Sequence, residues 1–165
     1  MGMRGRRAGV TSLLVLAVFG CLVWVAVAAE VRISSSVEES IRDCANRERR
    51  ERGLRQLKHD PALDAAARLH ARRMLSRGFF DHEDPDGVGP AERVKRFAKR
   101  RYVIVGENIG AGFDSTGATC RGWMNSPSHR ANILRASFTR VGAGYASGDS
   151  DYGRYFVQVF ADVAD

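Results

Sequence analysis

The N-terminal segment decides how much of this chain forms a folded domain and in which compartment it folds. Arg4, Arg6 and Arg7 precede an uncharged run, Ala8 to Ala29, that is rich in Leu, Val and Ala. A positively charged start followed by an apolar run is typical of an export signal. The run ends in the small-x-small site Ala26-Val27-Ala28. We therefore predict cleavage after Ala28, which makes residues 1–28 a signal peptide.

An uncleaved signal anchor is the main alternative. The apolar run over residues 8–29 reaches the roughly 20 residues that a helix needs to cross a bilayer. A lipoprotein signal at Cys21 is a weaker alternative, because the run continues past it through Leu22, Val23 and Trp24. All three interpretations place the rest of the chain outside the cytoplasm. Residues 29–36 are then a short tether, and residues 37–165 form one domain of about 130 residues, a size that supports a real core.

Export changes how the net charge and the cysteines of the chain are interpreted. Three Arg leave with the signal, which lowers the formal net charge of +7 by three, to +4. Cys21 leaves as well, so Cys44 and Cys120 remain. In an oxidising compartment this pair is expected to form a disulfide that closes a long loop, worth roughly 4 to 5 kcal/mol in the chain-entropy treatment. Two buried free thiols are the alternative.

The order of the predicted elements favours an α+β fold. Capping residues and helical spacing predict helices over residues 37–52, 61–77 and 90–99, and a further helix over 116–125. Residues with β-branched and aromatic side chains predict strands over 102–105, 141–145 and 155–160, the last two joined by a hairpin turn at 148–153. Tyr155, Val157 and Val159 alternate with Phe156 and Phe160. Apolar residues on both faces of the last strand indicate a sheet that is covered on both sides.

Three short segments carry the candidate site. They are Phe80-Asp81-His82, Gly106-Glu107-Asn108-Ile109-Gly110, and Ser126-Pro127-Ser128-His129-Arg130-Ala131-Asn132-Ile133-Leu134. Each places ionisable side chains beside Gly, Pro or Asn, so we predict three loops that direct these side chains into a shared space. His82, Glu107 and His129 are the candidate binding residues. Asn108, Arg130 and Asn132 are interpreted as hydrogen-bonding residues that hold the loops.

Other ionisable residues have structural interpretations. His70 falls on the apolar face of the second helix, where a hydrogen-bonded core histidine is more common than a ligand. The charged blocks Arg47 to Arg52 and Arg93 to Arg101 are interpreted as solvated faces. For the second block, contact with anionic lipid, a cell-wall polymer or nucleic acid is the alternative. Phe97 is the one aromatic residue interleaved with its charges, which is too little for a base-stacking surface, so we expect no nucleic-acid partner.

Several segments in one order resemble a known secreted family. This family is named for cysteine-rich secretory proteins, antigen 5 and plant pathogenesis-related class 1 proteins, and its domain is called CAP or SCP. The chain is similar to its short bacterial members over about Ile41 to Asp162. The matching residues are Asn46, Arg49, Gly53-Leu54, Leu63, His70, Met74, Phe80-x-His82, Pro85-Asp86-Gly87, Gly106-Glu107-Asn108-Ile109, Trp123, Ser126-Pro127-x-His129-Arg130-x-Asn132-Ile133-Leu134, Gly142-x-Gly144-Tyr145 and Tyr155 to Phe160.

The resemblance implies a fold and a cavity. The fold is a three-layer α-β-α sandwich with a central, mainly antiparallel sheet. Animal and plant members line a cavity with two His and two Glu that can hold a divalent cation such as zinc. His82 and Glu107 match the first His and first Glu, whereas Ser126 and Tyr155 stand at the other two positions. His129 is a candidate second imidazole, which makes His82 and His129 the candidate zinc ligands.

Two classes of function remain open. We favour a non-catalytic secreted module that binds a lipid, a cell-envelope component or another partner, as the resemblance implies. The alternative is a hydrolase, such as a protease, that uses His82 as a general base or a metal-activated water. The chain contains neither a Gly-x-Ser-x-Gly elbow nor a His-Glu-x-x-His motif, and a disulfide would leave no nucleophilic thiol. A purely structural His82–Glu107 pair is also compatible with the sequence.

Overall fold

The structure is a computed structural model that describes residues 35–163 of the 165-residue chain. The predicted signal peptide or anchor and residues 29–34 of the predicted tether lie outside the described residues. Within residues 35–163, no helix combines the length and apolar character that crossing a membrane requires.

The first two helices begin and end close to where the sequence predicts. Helix α1 covers residues 35–50 and is followed by a turn in which Gly53 has a φ of 68°. After the short strand β1 (Lys58–His59), helix α2 (Pro61–Arg77) begins at Asp60, whose side chain accepts a hydrogen bond from the Ala62 amide. Helix α2 ends at Gly78, which has the left-handed φ of 64° that glycine tolerates best.

The second half of the chain departs further from prediction. It contains α3 (Pro90–Lys95), β2 (Tyr102–Ala111), α4 (Thr116–Asn125), α5 (Pro127–Leu134), β3 (Arg140–Ser147) and β4 (Arg154–Val163). Helix α3 is shorter than predicted, and β2 is six residues longer. Strand β2 continues because every residue from Ile104 to Ala111 finds a partner in β4. A long-range pairing of this kind is invisible to local propensity.

The four strands form one mixed sheet in the order β1-β3-β4-β2. Strand β1 pairs with β3 in parallel, whereas β3–β4 and β2–β4 are antiparallel. Strands β3 and β4 form the predicted hairpin around the turn at residues 148–153. The α+β class and the mainly antiparallel sheet are therefore confirmed.

Helices cover both faces of this sheet. On one face, Leu63 and Ala67 of α2 pack in a core cluster with Val157 and Val159 of β4. Helix α2 lies so close to β3 that a Cβ atom at Gly142 or Gly144 would collide with the α2 backbone. On the other face, Ile41 of α1, Trp123 of α4 and Ile133 of α5 form a second core cluster. The rings of Phe156 and Phe160 of β4 belong to the same cluster. This arrangement is the three-layer α-β-α sandwich.

The predicted disulfide between Cys44 and Cys120 is present. It joins α1 to α4 across 76 residues of sequence, with the two Cα atoms 6.1 Å apart. Both cysteines are buried. The bridge therefore fixes two helices that lie on the same face of the sheet.

The prediction that Arg47 to Arg52 form a solvated face is wrong for Arg49, which is fully buried. Its guanidinium donates to the carbonyl oxygens of Arg55, Ile133 and Arg135 at 2.8 to 2.9 Å. Carbonyl oxygens at these hydrogen-bond distances replace the water that the buried cation has lost. Arg49 thus ties α1 to the segment that leads into β3.

Candidate functional site

The three candidate residues come together, but from three different kinds of element. His82 lies in the segment between α2 and α3, Glu107 lies on β2, and His129 lies on α5. The prediction of three loops is correct for His82 and wrong for the other two. Glu107 is opposite Val159 in the β2–β4 ladder. Pro127 starts α5 at the first helical position, where its fixed φ and missing N–H are tolerated.

Glu107 forms a buried ion pair with Arg93 of α3. Arg93 Nη2 lies 3.2 Å from Oε1 and 3.1 Å from Oε2 of Glu107, and both side chains are 2% exposed or less. A carboxylate on a buried strand is costly unless a cation and hydrogen bonds compensate for lost hydration. Arg93 supplies that compensation and also fixes the orientation of the carboxylate.

His82 stands between Glu107 and solvent. Its Nδ1 lies 2.9 Å from Glu107 Oε1, and its side chain is 47% exposed. The other ring nitrogen has no hydrogen-bond partner among residues 35–163. Because a carboxylate only accepts, Nδ1 carries the hydrogen of this bond, which leaves Nε2 of a neutral imidazole as an acceptor facing outward from the pair.

Two buried side chains, Arg93 and His70, hold the backbone of the His82 segment. Arg93 Nη2 donates to the carbonyl oxygen of His82 at 2.7 Å, and His70 Nε2 lies 2.9 Å from the carbonyl oxygen of Asp81. His70 is completely buried on α2, as the structural interpretation of this histidine requires. The loop is therefore attached to the two helices on either side of it.

The three neighbouring imidazoles have different acidities. The hydrogen bond to Glu107 and the charge of that carboxylate raise the pKa of His82, although partial burial and Arg93 oppose the shift. Burial lowers the pKa of His70, which favours a neutral ring. Burial also lowers the pKa of His129, and the positive charge of His82 lowers it further. One of the three imidazoles, His82, therefore has a raised pKa, whereas the pKa values of His70 and His129 are lowered.

An amide network positions His129. Asn108 Nδ2 donates to the carbonyl oxygen of His129 at 3.1 Å, and Asn132 Nδ2 donates to Asn108 Oδ1 at 2.9 Å. Asn132 also reaches the carbonyl oxygen of Glu107 at 3.1 Å. Arg130 donates to the carbonyl oxygen of Met124, which links α5 to α4. The predicted hydrogen-bonding role of these three residues agrees with these contacts, which hold α5 against β2.

A pocket of about 610 Å³ opens beside the two imidazoles, and we call it the His82 pocket. Most of its wall is apolar or glycine backbone, and its polar groups are few. The lining residues are Phe80, Asp81, His82, Ile109, Gly110, Ala111, Phe113, Gly122, Trp123, Ser126 and His129. Glu107 does not line it but lies behind His82. Tyr155 does not line it either; this buried ring packs edge-on against Tyr152 instead.

The donor set around the pocket does not fit zinc well. No group of three or more His, Cys, Asp or Glu side chains within residues 35–163 is arranged to hold a metal. Both oxygens of Glu107 already contact Arg93, a cation that would repel a metal at the same carboxylate. His82 and His129 line one pocket, but two imidazoles alone fall short of the three protein ligands of a typical catalytic zinc site. The expectation that His82 and His129 bind zinc therefore gains no support from the donor set, and a zinc titration is its test.

Arg93 is the site residue that sequence reasoning missed. It was assigned to a solvated basic face because five other Lys or Arg residues follow it closely. Arg93 lies next to Val94 and four residues before Phe97, so helical spacing does place it beside apolar positions. That weak signal was masked by the local charge. A buried acid whose partner is distant in sequence can only be matched to it once the fold is known.

Comparison with known proteins identifies relatives over most of the chain. The profile described as "CAP: Cysteine-rich secretory protein family" matches residues 42–160. The protein YkwD of Bacillus subtilis (strain 168) is 34% identical over 123 residues, which cover 74% of this chain and 48% of the relative. The chain therefore spans about half the length of this curated relative.

Solved structures share the fold. An extracellular protein of Bacillus anthracis that contains an SCP domain superposes with a TM-score of 0.71 at 29% identity, covering 79% of this chain and 41% of that protein. An outer surface protein of Borrelia burgdorferi superposes with a TM-score of 0.68 at 20% identity, covering 74% of this chain and 90% of that protein. The second likeness concerns the fold alone.

Proposed function

This chain belongs to the cysteine-rich secretory protein (CAP) family, and on that basis we propose that it is an exported, non-catalytic module that binds a small amphipathic ligand in the His82 pocket. The observation that carries the proposal is the composition of that pocket. Aromatic and aliphatic side chains such as Phe80, Ile109 and Trp123 form its walls, while His82 and His129 place two imidazoles on the same surface.

The size and chemistry of the pocket suit such a ligand. A volume of about 610 Å³ lies within the roughly 300 to 1,000 Å³ of typical small-molecule sites. Apolar walls favour the hydrocarbon part of a ligand by removing it from water. The protonated form of His82 would attract an anionic or hydrogen-bond-accepting head group, and Ser126 offers a hydroxyl beside it.

Export is supported by three features. The family includes extracellular relatives, among them the Bacillus anthracis protein, and the N-terminal run has the pattern of an export signal. The buried disulfide between Cys44 and Cys120 belongs in an oxidising compartment rather than the cytosol. Envelope lipids and other envelope components are therefore the proposed source of the ligand.

A fluorescent probe tests the proposal. Anilinonaphthalene sulfonate combines an apolar ring system with an anionic group, and we expect it to bind the exported protein saturably. Ala111→Trp should abolish this binding by filling the pocket, whereas Val103→Trp, on the same strand at a 59% exposed position, should leave it intact. Thermal unfolding of both variants controls for folding. Equal binding by the two variants would exclude the His82 pocket as the site.

A hydrolase is the second candidate, because of one geometric relationship. Glu107 orients His82 through Nδ1 and leaves the opposite ring nitrogen without a partner in residues 35–163. An imidazole held in this way can accept a proton from water at Nε2, while the carboxylate stabilises the resulting imidazolium. Metal assistance has no support from the donor set, so the general-base form is the one proposed.

Turnover decides between the two candidates. His82→Ala and His129→Ala should be compared with the unaltered protein on peptide and ester substrates, with probe binding measured in parallel. A binding module shows no turnover in any of the three proteins but retains saturable probe binding in the unaltered one. Turnover that disappears only with His82→Ala would establish the hydrolase and contradict the non-catalytic proposal.

A further inference from the structure

A second pocket lies at the opposite end of the sheet from the His82 pocket. It has a volume of about 630 Å³ and is lined mainly by polar side chains from β1, the segment before β3 and the end of β4. Along β4, about six residues separate the partners of Ala111 and Arg140, so the two pockets are roughly 20 Å apart. We call this second site the basic pocket.

Three cations dominate the basic pocket. Arg55, Lys58 and Arg140 line it, and within residues 35–163 none of them forms an ion pair. Asp162 is the one acid among the lining residues, and its Oδ1 already accepts from the Val163 amide at 3.0 Å. Elsewhere in the domain, cations such as Arg42, Arg68 and Arg77 do have acidic partners. The pocket therefore gathers three cations, none of them in an ion pair within the described part of the chain.

The β-sheet register brings two of these cations together. Lys58 and Arg140 are direct Cα partners in the parallel β1–β3 pair. Neighbouring strands lie only about 4.8 Å apart, and like charges placed opposite one another destabilise a sheet. No acid relieves this repulsion by an ion pair in the described part of the chain. An anionic ligand between the two side chains would relieve it.

The positive surface continues beyond the pocket. Arg100 and Arg140 both exert their charge on Tyr102, which lies at the start of β2 and donates its hydroxyl to Asp60. Lys99 is exposed beside Arg100 in a neighbouring recess that Tyr102 also lines. Positive charge therefore extends from the basic pocket past Arg140 toward Arg100 and Lys99, with Asp60 as the acid that contacts Tyr102. An extended positive surface of this kind matches a partner whose own charges repeat along a chain.

We propose that Arg55, Lys58 and Arg140 form a binding site for a linear phosphate-bearing polyanion, with Arg100 and Lys99 extending the site to the next charged groups. Each arginine guanidinium can donate two parallel hydrogen bonds to two oxygens of one phosphate, and the lysine ammonium adds a point charge. The hydroxyls of Ser137 and Thr139 lie in the same lining. The site is independent of the His82 pocket and of the function proposed for that pocket.

Two double variants with the same net charge test the site. Lys58→Gln with Arg140→Gln removes both members of the cross-strand pair. Arg72→Gln with Arg121→Gln removes two exposed cations of α2 and α4 that form no ion pair within residues 35–163. Calorimetry of the exported protein with short inorganic polyphosphate should give about tenfold or greater weakening for the first variant and about twofold or less for the second.

Parallel titrations identify the kind of anion. Inorganic phosphate alone and vesicles containing phosphatidylglycerol are the two further probes. Much tighter binding of polyphosphate than of inorganic phosphate, lost in the Lys58 and Arg140 variant and screened by salt, supports the proposal. Equal weakening in both double variants would overturn it, because the effect would then be one of net charge. Binding to the vesicles without binding to polyphosphate would overturn it in favour of a membrane surface.

Discussion

The guanidinium of Arg93 lies against both carboxylate oxygens of Glu107, at 3.2 Å from Oε1 and 3.1 Å from Oε2, with both side chains almost fully buried. The same guanidinium group donates to the carbonyl oxygen of His82. Arg93 therefore fixes the acid that orients His82 and the loop that carries it. The shape of the His82 pocket depends on a pair that does not itself face the pocket.

Removing Arg93 should destabilise the domain strongly. Arg93→Met leaves the carboxylate of Glu107 buried without its cation, which costs about 3 to 5 kcal/mol in comparable pairs. Arg93→Met combined with Glu107→Met should recover part of this loss, because no buried charge remains. Urea denaturation of the three proteins measures the free energy of unfolding. A loss below about 1 kcal/mol for the single variant would show that the pair is not needed for stability.

The acidity of His82 should depend on Glu107. We expect NMR titration to give His82 a pKa above the ordinary 6.5 and His129 a pKa below it. Glu107→Gln should lower the pKa of His82, because an amide neither carries the negative charge nor favours the imidazolium. An unchanged pKa in that variant would contradict the assigned hydrogen bond.

The raised pKa of His82 should make the stability of the domain depend on pH. A histidine whose pKa is raised on folding stabilises the native state fully below its unfolded pKa, near 6.5, and loses that contribution as pH rises through the folded pKa. His82→Ala should therefore cost more stability at about pH 5 than at about pH 9. His129 has a lowered pKa, so its contribution is present above pH 6.5 and lost as pH falls. Comparing His82→Ala with His129→Ala should thus reveal opposite trends with pH.

The disulfide should contribute substantially to stability. A loop of 76 residues corresponds to roughly 4 to 5 kcal/mol in the chain-entropy treatment. Cys44→Ala with Cys120→Ala should lower the free energy of unfolding by about that amount or somewhat less, because engineered comparisons often fall short of the estimate. Titration of the unreduced, denatured exported protein should detect no free thiol. Two titratable thiols would contradict the bridge.

Charge repulsion in the basic pocket should be measurable without any ligand. Lys58→Glu places an acid opposite Arg140 in the β1–β3 register, and we expect the variant to be more stable by about 0.2 to 1 kcal/mol. The gain should shrink at high salt. As a control, Arg72→Glu changes an exposed cation to an acid by the same two charge units away from the pocket. A gain of equal size in the control would assign the effect to net charge.

Zinc provides a separate test of the site chemistry. Because Arg93 holds Glu107 and the described residues offer no cluster of three donors, we expect calorimetry to show no saturable zinc binding at the His82 pocket. Stoichiometric binding that disappears in His82→Ala and in His129→Ala would show that the two imidazoles recruit a metal despite this arrangement.

Local patterns in the sequence are sufficient for α1, α2 and α4. The cap at Asp60, Pro61 and the left-handed glycine at Gly78 defined α2 to the residue, and the apolar residues of β4 indicated two covered faces of the sheet. The site was harder to predict, because its contacts join distant segments. Glu107 reads locally as part of a glycine-rich loop, yet pairing with β4 makes it a strand residue.

Two buried arginines show the same limit of local sequence patterns. Arg49 and Arg93 lie in highly charged stretches that suggest solvent exposure, but both are buried. Their partners are carbonyl oxygens and a carboxylate supplied by other elements. The pairing of Lys58 with Arg140 depends on the register of two strands about 80 residues apart, which no local pattern specifies.

An NMR titration with anilinonaphthalene sulfonate is the sharpest test of ligand binding in the His82 pocket, because it reports which residues contact the probe. We expect saturable shifts of the Trp123 indole signal and of the His82 and His129 ring signals, absent in Ala111→Trp and retained in Val103→Trp. Saturable binding that leaves these three residues unchanged would contradict the proposal that the His82 pocket is the ligand site.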